Sequence, residues 1–291
     1  MKNIGFVGLG NMGKGMSINL SRKDDLKLIG FDINPDCGIA LQNEKIEIVD
    51  DLKYLIENVD IVITMLPDGK AVKIVWDELI KFAKPNQFLI DCSTIDVKTS
   101  ISVQTEAMKK GLFTLDAPVS GGVIGADNAT LTFMIGGKEE VFKKTNFLFN
   151  IMGKNSILCG DNGAGQSAKI CNNMLLATTM IAVGESFNLG KNLNLDPNKL
   201  FEVLSTSTGS CWAINNYCPI KGVGPLSPSD HNYEGGFSSE LMFKDLGLAI
   251  KAIKETNTSV LLAKETYDKY KSIIEKDIGK LDFSNIVNYW I

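Results

Sequence analysis

Residues 2–20, KNIGFVGLGNMGKGMSINL, run from a short apolar strand through a glycine-rich turn into a helix. That order decides the fold. Gly8-Leu9-Gly10-Asn11-Met12-Gly13 is a G-x-G-x-x-G pattern lying between a strand and a helix, the context a dinucleotide fingerprint requires. Gly8 permits the tight turn, Gly10 lets the backbone approach a pyrophosphate, and Gly13 allows the helix to pack closely on the strand. The helix start adds amide donors and a dipole favourable to negative charge. The next strand, LKLIGFD at 26–32, ends in Asp32, 19 residues past Gly13. An acid there accepts hydrogen bonds from the adenosine ribose hydroxyls and repels a 2′-phosphate. No arginine follows in Ile33-Asn34-Pro35, so the reading is NAD rather than NADP.

The same pattern repeats outward from this unit. DIVITMLP at 60–67, QFLIDCST at 87–94, TLDAPVSGG at 114–122 and LTFMIGG at 131–137 read as strands, with helix-like segments between them. Alternating strands and helices predict a parallel, doubly wound α/β sheet of the Rossmann type. After residue 160 the periodicity is helical only, over 165–192, 197–207, 238–255 and 258–276. Glycines cluster in GDNGAG at 160–165. The division is placed there, with a NAD-binding domain over 1–162 and an all-α substrate and oligomerisation domain over 163–291.

Ligands in such sheets bind beyond the carboxyl ends of the strands. Leu66 and Pro67 end one strand and are placed to line the cofactor path. Thr94 ends another, its hydroxyl within reach of a nicotinamide ribose. Ser120-Gly121-Gly122 puts a hydroxyl beside two amides without side chains, a donor arrangement suited to a carboxylate or a phosphate, although such a triplet also serves as a plain loop. In GAGQSAKICNNML, 163–175, Lys169 and Asn173 stand i,i+4 on one helix face, where two domains would form a cleft. A buried ammonium is costly unless it is paired or loses its proton, and a lysine depressed by desolvation exchanges protons near neutral pH. Lys244, in FKDLGLA, is a further basic candidate near the start of a later helix.

Composition narrows the partners. The 291 residues are 44% hydrophobic and 22% charged, with a net charge of −4, which leaves no basic footprint for nucleic acid and points to a small molecule. Six cysteines without a Cys-x-x-Cys pair read as free thiols in a reducing compartment. A single histidine, His231, leaves no cluster for zinc, so no metal is expected. The most apolar window, MLLATTMIAVG at 174–184, is shorter than the ~20 residues a membrane span needs. The chain opens directly on a strand, so no presequence is expected. A mature form stripped of a transit peptide would read the same way, giving a cytoplasmic location if bacterial and the mitochondrial matrix if eukaryotic and processed.

Four segments in order, FVGLGNMGKGMSINL, DAPVSGG, GAGQSAKICNNMLL and KDLGLA, resemble the cofactor signature, substrate loop, catalytic helix and later lysine segment of the β-hydroxyacid dehydrogenases, and the similarity covers nearly the whole chain. STGSCW at 207–212 and NYEGGF at 232–237 resemble segments of the branch acting on hydroxyisobutyrate. Two departures stand out: Ala71 where this branch often has asparagine, and Ser210 where arginine is often found. The resemblance implies NAD-dependent oxidation of 3-hydroxyisobutyrate to methylmalonate semialdehyde, in valine breakdown. It makes Lys169 the general acid/base. Ser120, Gly121, Gly122 and Asn173 become substrate contacts, and Trp212 and Phe237 pack on the substrate methyl group. Leu66, Pro67, Thr94 and Lys244 become cofactor contacts beside the glycine turn and Asp32. A homodimer or homotetramer is implied as well. The alternatives are related tartronate semialdehyde, succinic semialdehyde or glyoxylate reductases, or a non-catalytic dinucleotide-binding reader.

Overall fold

A computed structural model describes residues 2–276 and 278–289. The chain divides into two compact units, Met1–Lys169 and Ile170–Ile291. The first is built on one sheet with nine strands among the described residues: β1 (Lys2–Val7), β2 (Leu26–Phe31), β3 (Ile46–Ile48), β4 (Ile61–Thr64), β5 (Phe88–Asp91), β6 (Phe113–Asp116), β7 (Val119–Ser120), β8 (Leu131–Gly136) and β9 (Gly153–Gly160). Their order is β3-β2-β1-β4-β5-β6-β8-β7, with β9 paired to β8. From β3 to β6 every pairing is parallel.

Strand alternation sorts side chains onto two faces, and both are covered, as a parallel sheet requires. Ile4, Phe6, Ile61, Ile63 and Ile90 share one apolar layer with Met16 and Leu20 of the helix Asn11–Ser21 and with Leu148 and Phe149 of the helix Glu139–Met152. Val7, Val62 and Leu89 face the opposite way, onto Val72, Trp76 and Leu79 of the helix Gly69–Phe82 and Val103 of the helix Val97–Lys109. Each fully buried side chain of this size contributes about 1.5–3 kcal/mol.

The far edge departs from the all-parallel expectation, because β8 runs antiparallel to β6 and to β7. The cause lies in the connection. The only helix there, Gly122–Asp127, has six residues and rises about 9 Å, whereas a six-residue strand such as β8 spans about 20 Å. A helix that short cannot return the chain to the start of the sheet, so the chain folds back on itself. β3 and β9 were not read from the sequence.

The second unit is helical. Within it lie the helices Pro197–Thr206, Trp212–Asn215, Ser239–Thr256 and Leu262–Ile274, together with two 3₁₀ segments, Pro228–His231 and Phe283–Tyr289. Its apolar centre includes Met180, Phe187, Ile214, Met242, Leu246, Tyr270, Phe283 and Ile286. A long helix, Ala164–Asn192, begins in the first unit and ends in the second. Among the described residues no helix is long and apolar enough to cross a membrane.

Candidate active site

β1 pairs with β2 on one side and with β4 on the other, so the strand order reverses at β1 and opens a crevice at its carboxyl end. The glycine turn fills that position. Gly8 has φ +94°, in the region favouring glycine, and a Cβ there would collide with the Met65 carbonyl after β4. A Cβ on Gly13 would collide with the Gly8 carbonyl. Gly10, by contrast, faces open space, with nothing within 4 Å of an added Cβ. The helix Asn11–Ser21 has no side-chain cap and no acid in its first turn. Its leading amides are therefore left for an anionic ligand, which fits a pyrophosphate.

Asp32 sits at the neighbouring strand end. Leu9 N–H donates to its Oδ2 at 2.7 Å and Asn34 N–H to its Oδ1 at 2.8 Å, so the carboxylate locks the glycine turn to the end of β2. A cavity of about 740 Å³ opens beside it, lined by Asp32, Glu47, Asp50 and Asp51 among others and by no lysine or arginine. Glu47, Asp50 and Asp51 escaped the sequence reading because β3 is only three residues long.

Leu66, Pro67 and Thr94 occupy the ends of β4 and β5, and a buried polar network beneath them sets their loops. Asp91 is 1% exposed, and its Oδ1 accepts from Thr64 Oγ1 at 2.8 Å, Ser93 Oγ at 2.6 Å and Ser93 N–H at 3.2 Å. Ser93 Oγ in turn accepts from Leu66 N–H at 2.8 Å, and the Trp76 indole donates to Thr64 Oγ1 at 3.1 Å. Burial pushes the Asp91 carboxyl up to about 6, against the opposing effect of these donors.

Ser120 ends β7, and Gly121 and Gly122 follow with φ of +135° and +62°. Both glycines are exposed, and nothing lies within 4 Å of an added Cβ on Gly122. Across β8 from β7, Asp116 of β6 reaches the start of the helix Ala164–Asn192. Its Oδ1 accepts from Gly163 N–H at 2.7 Å and its Oδ2 from Gln166 N–H at 2.8 Å. A carboxylate capping a helix start in this way contributes about 0.5–2 kcal/mol. Lys169 lies one turn further along and is 8% exposed.

In the second unit, Asn173 and Lys244 converge on one residue. Asn173 Nδ2 donates to Asp245 Oδ2 at 2.5 Å, and Lys244 Nζ lies 3.3 Å from Asp245 Oδ1. Asp245 is buried, and its place in KDLGLA beside the lysine was the available signal. Trp212 and Phe237 belong to a ladder of rings: Trp212 stacks on Tyr217 at 5.0 Å, Tyr217 on Phe283 at 5.6 Å, and Phe237 meets Phe283 edge-on at 6.0 Å. Asp282 anchors the ladder, its Oδ2 accepting from Tyr217 OH and Phe237 N–H, each at 2.8 Å. Burial raises both the Asp282 carboxyl and the Tyr217 phenol. Among the described residues no group of three or more His, Cys, Asp or Glu is placed to hold a metal ion.

Sheet reversal, glycine turn and an acid at the end of the second strand together define the first unit as an NAD-binding domain of a dinucleotide-dependent oxidoreductase. Residues 3–160 match the model for the NAD binding domain of 6-phosphogluconate dehydrogenase, and residues 163–290 match the model described as NAD-binding of NADP-dependent 3-hydroxyisobutyrate dehydrogenase. The chain is 42% identical to the mitochondrial 3-hydroxyisobutyrate dehydrogenase of Mus musculus, over 98% of this chain and 86% of that one. It is 40% identical to a probable 3-hydroxyisobutyrate dehydrogenase of Mycobacterium tuberculosis, over 99% and 97% of the two chains. A solved Mycobacterium tuberculosis 3-hydroxyisobutyrate dehydrogenase with L-serine superposes with a TM-score of 0.95 at 39% identity, covering 99% of both chains. The chain belongs to the 3-hydroxyisobutyrate dehydrogenase family.

Proposed function

We propose that the protein oxidises 3-hydroxyisobutyrate reversibly to methylmalonate semialdehyde, a step of valine breakdown, with Lys169 as general acid/base. The observation that carries this reading is a lysine only 8% exposed, one turn into a helix whose start is fastened to the carboxyl end of an NAD-binding sheet. The glycine turn and Asp32 hold the dinucleotide, with Leu66, Pro67, Thr94 and Lys244 as further contacts. NAD⁺ supplies the hydride acceptor. Lys169, uncharged, takes the proton of the substrate hydroxyl; protonated, it returns that proton in the reductive direction. Ser120 and the amides of Gly121 and Gly122 bind the carboxylate. Asn173 keeps one amide hydrogen on Asp245 and turns its second to substrate. Trp212 and Phe237 pack on the methyl group.

A relative solved with L-serine, itself a 3-hydroxy acid, supports this substrate class. The test is a panel of 3-hydroxyisobutyrate, L-serine, glycerate, glycolate and 4-hydroxybutyrate with NAD⁺, followed by NADH absorbance. The highest kcat/KM is expected for 3-hydroxyisobutyrate. A higher value for another acid moves the protein to a sister activity, and no NADH from any of them removes catalysis from the reading.

The homo-oligomer belongs to the same proposal. The helix Pro197–Thr206 has no buried residue, and Leu189, Leu193, Leu195 and Val203 are between 51% and 62% exposed. Apolar side chains gathered around one helix corner are a surface for a second copy. Light scattering is expected to give a multiple of the 31.7 kDa chain mass, and Leu193→Lys to shift the distribution toward monomer. A parent protein that is monomeric at micromolar concentration overturns the assembly.

A further inference from the structure

We propose that Gln166 is a positioning residue that fixes the cofactor loop Ser93-Thr94-Ile95 to the helix bearing Lys169; this rests on the dehydrogenase reading above. Gln166 is fully buried. Its Nε2 donates to Ser93 O at 2.7 Å, and its Oε1 accepts from Ile95 N–H at 3.0 Å. One side-chain amide thus grips the backbone on both sides of Thr94. The loop is held from below as well, where Asp91 accepts from Ser93 Oγ and N–H. The Gln166 backbone amide is itself held by Asp116, 2.8 Å away.

The side chain of Gln166 spends its hydrogen bonds outside its own helix. Capping that helix requires only the Asp116 carboxylate, so the amide is not needed there. An apolar residue at 166 would strand a buried carbonyl and a buried N–H, which native proteins almost always avoid. Lys169 is three residues on, about 4.5 Å along the same helix axis. No loop intervenes between the grip on Thr94 and the amine. The loop that receives the nicotinamide ribose and the group that handles the proton are therefore parts of one rigid assembly. A misplacement of about 1 Å between reacting groups costs on the order of a hundredfold in rate.

Two variants test this, with NAD⁺ binding measured by titration and kcat measured with the preferred hydroxyacid at saturating NAD⁺ from pH 6 to pH 9. Gln166→Leu is expected to lower kcat by about 10- to 100-fold. Its affinity for NAD⁺ should stay within about threefold of the parent, because the phosphate turn and Asp32 are untouched, and its kcat relative to the parent should not vary with pH. Gln166→Glu is expected to behave differently. A protonated carboxyl offers the same donor and acceptor pair as the amide, whereas the ionised form turns a bare oxygen toward Ser93 O.

Burial and the carboxylates packed on this assembly, Asp91 on β5 and Asp116 on β6, raise the pKa of a glutamate at 166, while Lys169 on its own helix opposes them. Activity of Gln166→Glu relative to the parent should therefore climb by about tenfold as pH falls through this range. The proposal is overturned by a Gln166→Leu kcat within twofold of the parent, by equal losses of kcat and NAD⁺ affinity, or by a flat Gln166→Glu ratio. If Gln166→Leu does not fold, the Gln166→Glu ratio decides alone. A parent enzyme that forms no NADH overturns the dehydrogenase reading and this inference with it, whereas an active parent with an unaffected variant overturns the inference only.

Discussion

Lys169→Ala is expected to lower turnover of the hydroxyacid by about 10² or more while NAD⁺ binds with near-parent affinity. The two effects separate because they depend on different parts of the chain. In the proposed function, dinucleotide affinity comes from the amides after Gly10, from the Asp32 carboxylate and from the strand ends of β4 and β5, none of which the substitution changes. In the proposed mechanism the amine acts only when the hydroxyl proton must leave. Truncation also removes a buried aliphatic stem, so Lys169→Met serves as a companion that keeps the stem without the nitrogen. Both variants should be equally slow if proton transfer is the missing function, and a small primary amine added to Lys169→Ala should restore part of the rate. Turnover by either variant within about threefold of the parent would remove Lys169 from the chemistry. A slow alanine variant beside a fast methionine variant would assign the residue to packing instead.

The sequence disclosed those features whose cause is local. A strand, a glycine turn and a helix within twenty residues are joined by short-range geometry, and the acid ending the next strand is fixed by the same β-α-β unit. The helical character of 165–192, 197–207, 238–255 and 258–276 follows from spacing along single helices. Lys169 and Asn173 could be placed on one helix for the same reason. The residues that sequence reading overlooked act across long separations. Asp116 holds amides 47 and 50 residues away, Asp245 receives Asn173 across 72, and Asp282 anchors Phe237 across 45. No periodicity encodes such a partner. Asp116 and Asp245 lie within motifs, and Asp282 lies in a connection between helices; each reads there as an ordinary polar residue. β3 and β9 were missed for related reasons: three residues are too few to show alternation, and β9 is half exposed, so its apolar signal is weak. The reversal of direction at β8 depends on the length of a connecting helix, which propensity alone places poorly.

Asp32→Asn is expected to raise the ratio of kcat/KM with NADP to that with NAD by about tenfold or more, a change of about 1.4 kcal/mol or more in relative transition-state binding. In the parent, the carboxylate stands at the end of β2 with Asp50 and Asp51 lining the same cavity, beside Glu47, whose charge Lys27 balances from outside the lining. A 2′-phosphate brings up to two negative charges into that setting, and two unit charges at about 4 Å repel by up to ~4 kcal/mol at an effective dielectric of 20. Asparagine removes one of those charges at constant size. It also carries one acceptor oxygen where two now serve Leu9 N–H and Asn34 N–H, so one of these donors loses its partner and the turn holding the pyrophosphate loosens. Activity with NAD is therefore expected to fall in absolute terms, and NADP to gain chiefly in the ratio, because Asp50 and Asp51 still oppose the phosphate, whereas Glu47 is paired with Lys27 at 3.0 Å. Ile33→Arg added to Asp32→Asn supplies the missing cation and should move the ratio further. An unchanged ratio in the single variant, measured with both cofactors at the same hydroxyacid concentration, would show that Asp32 does not face the ribose.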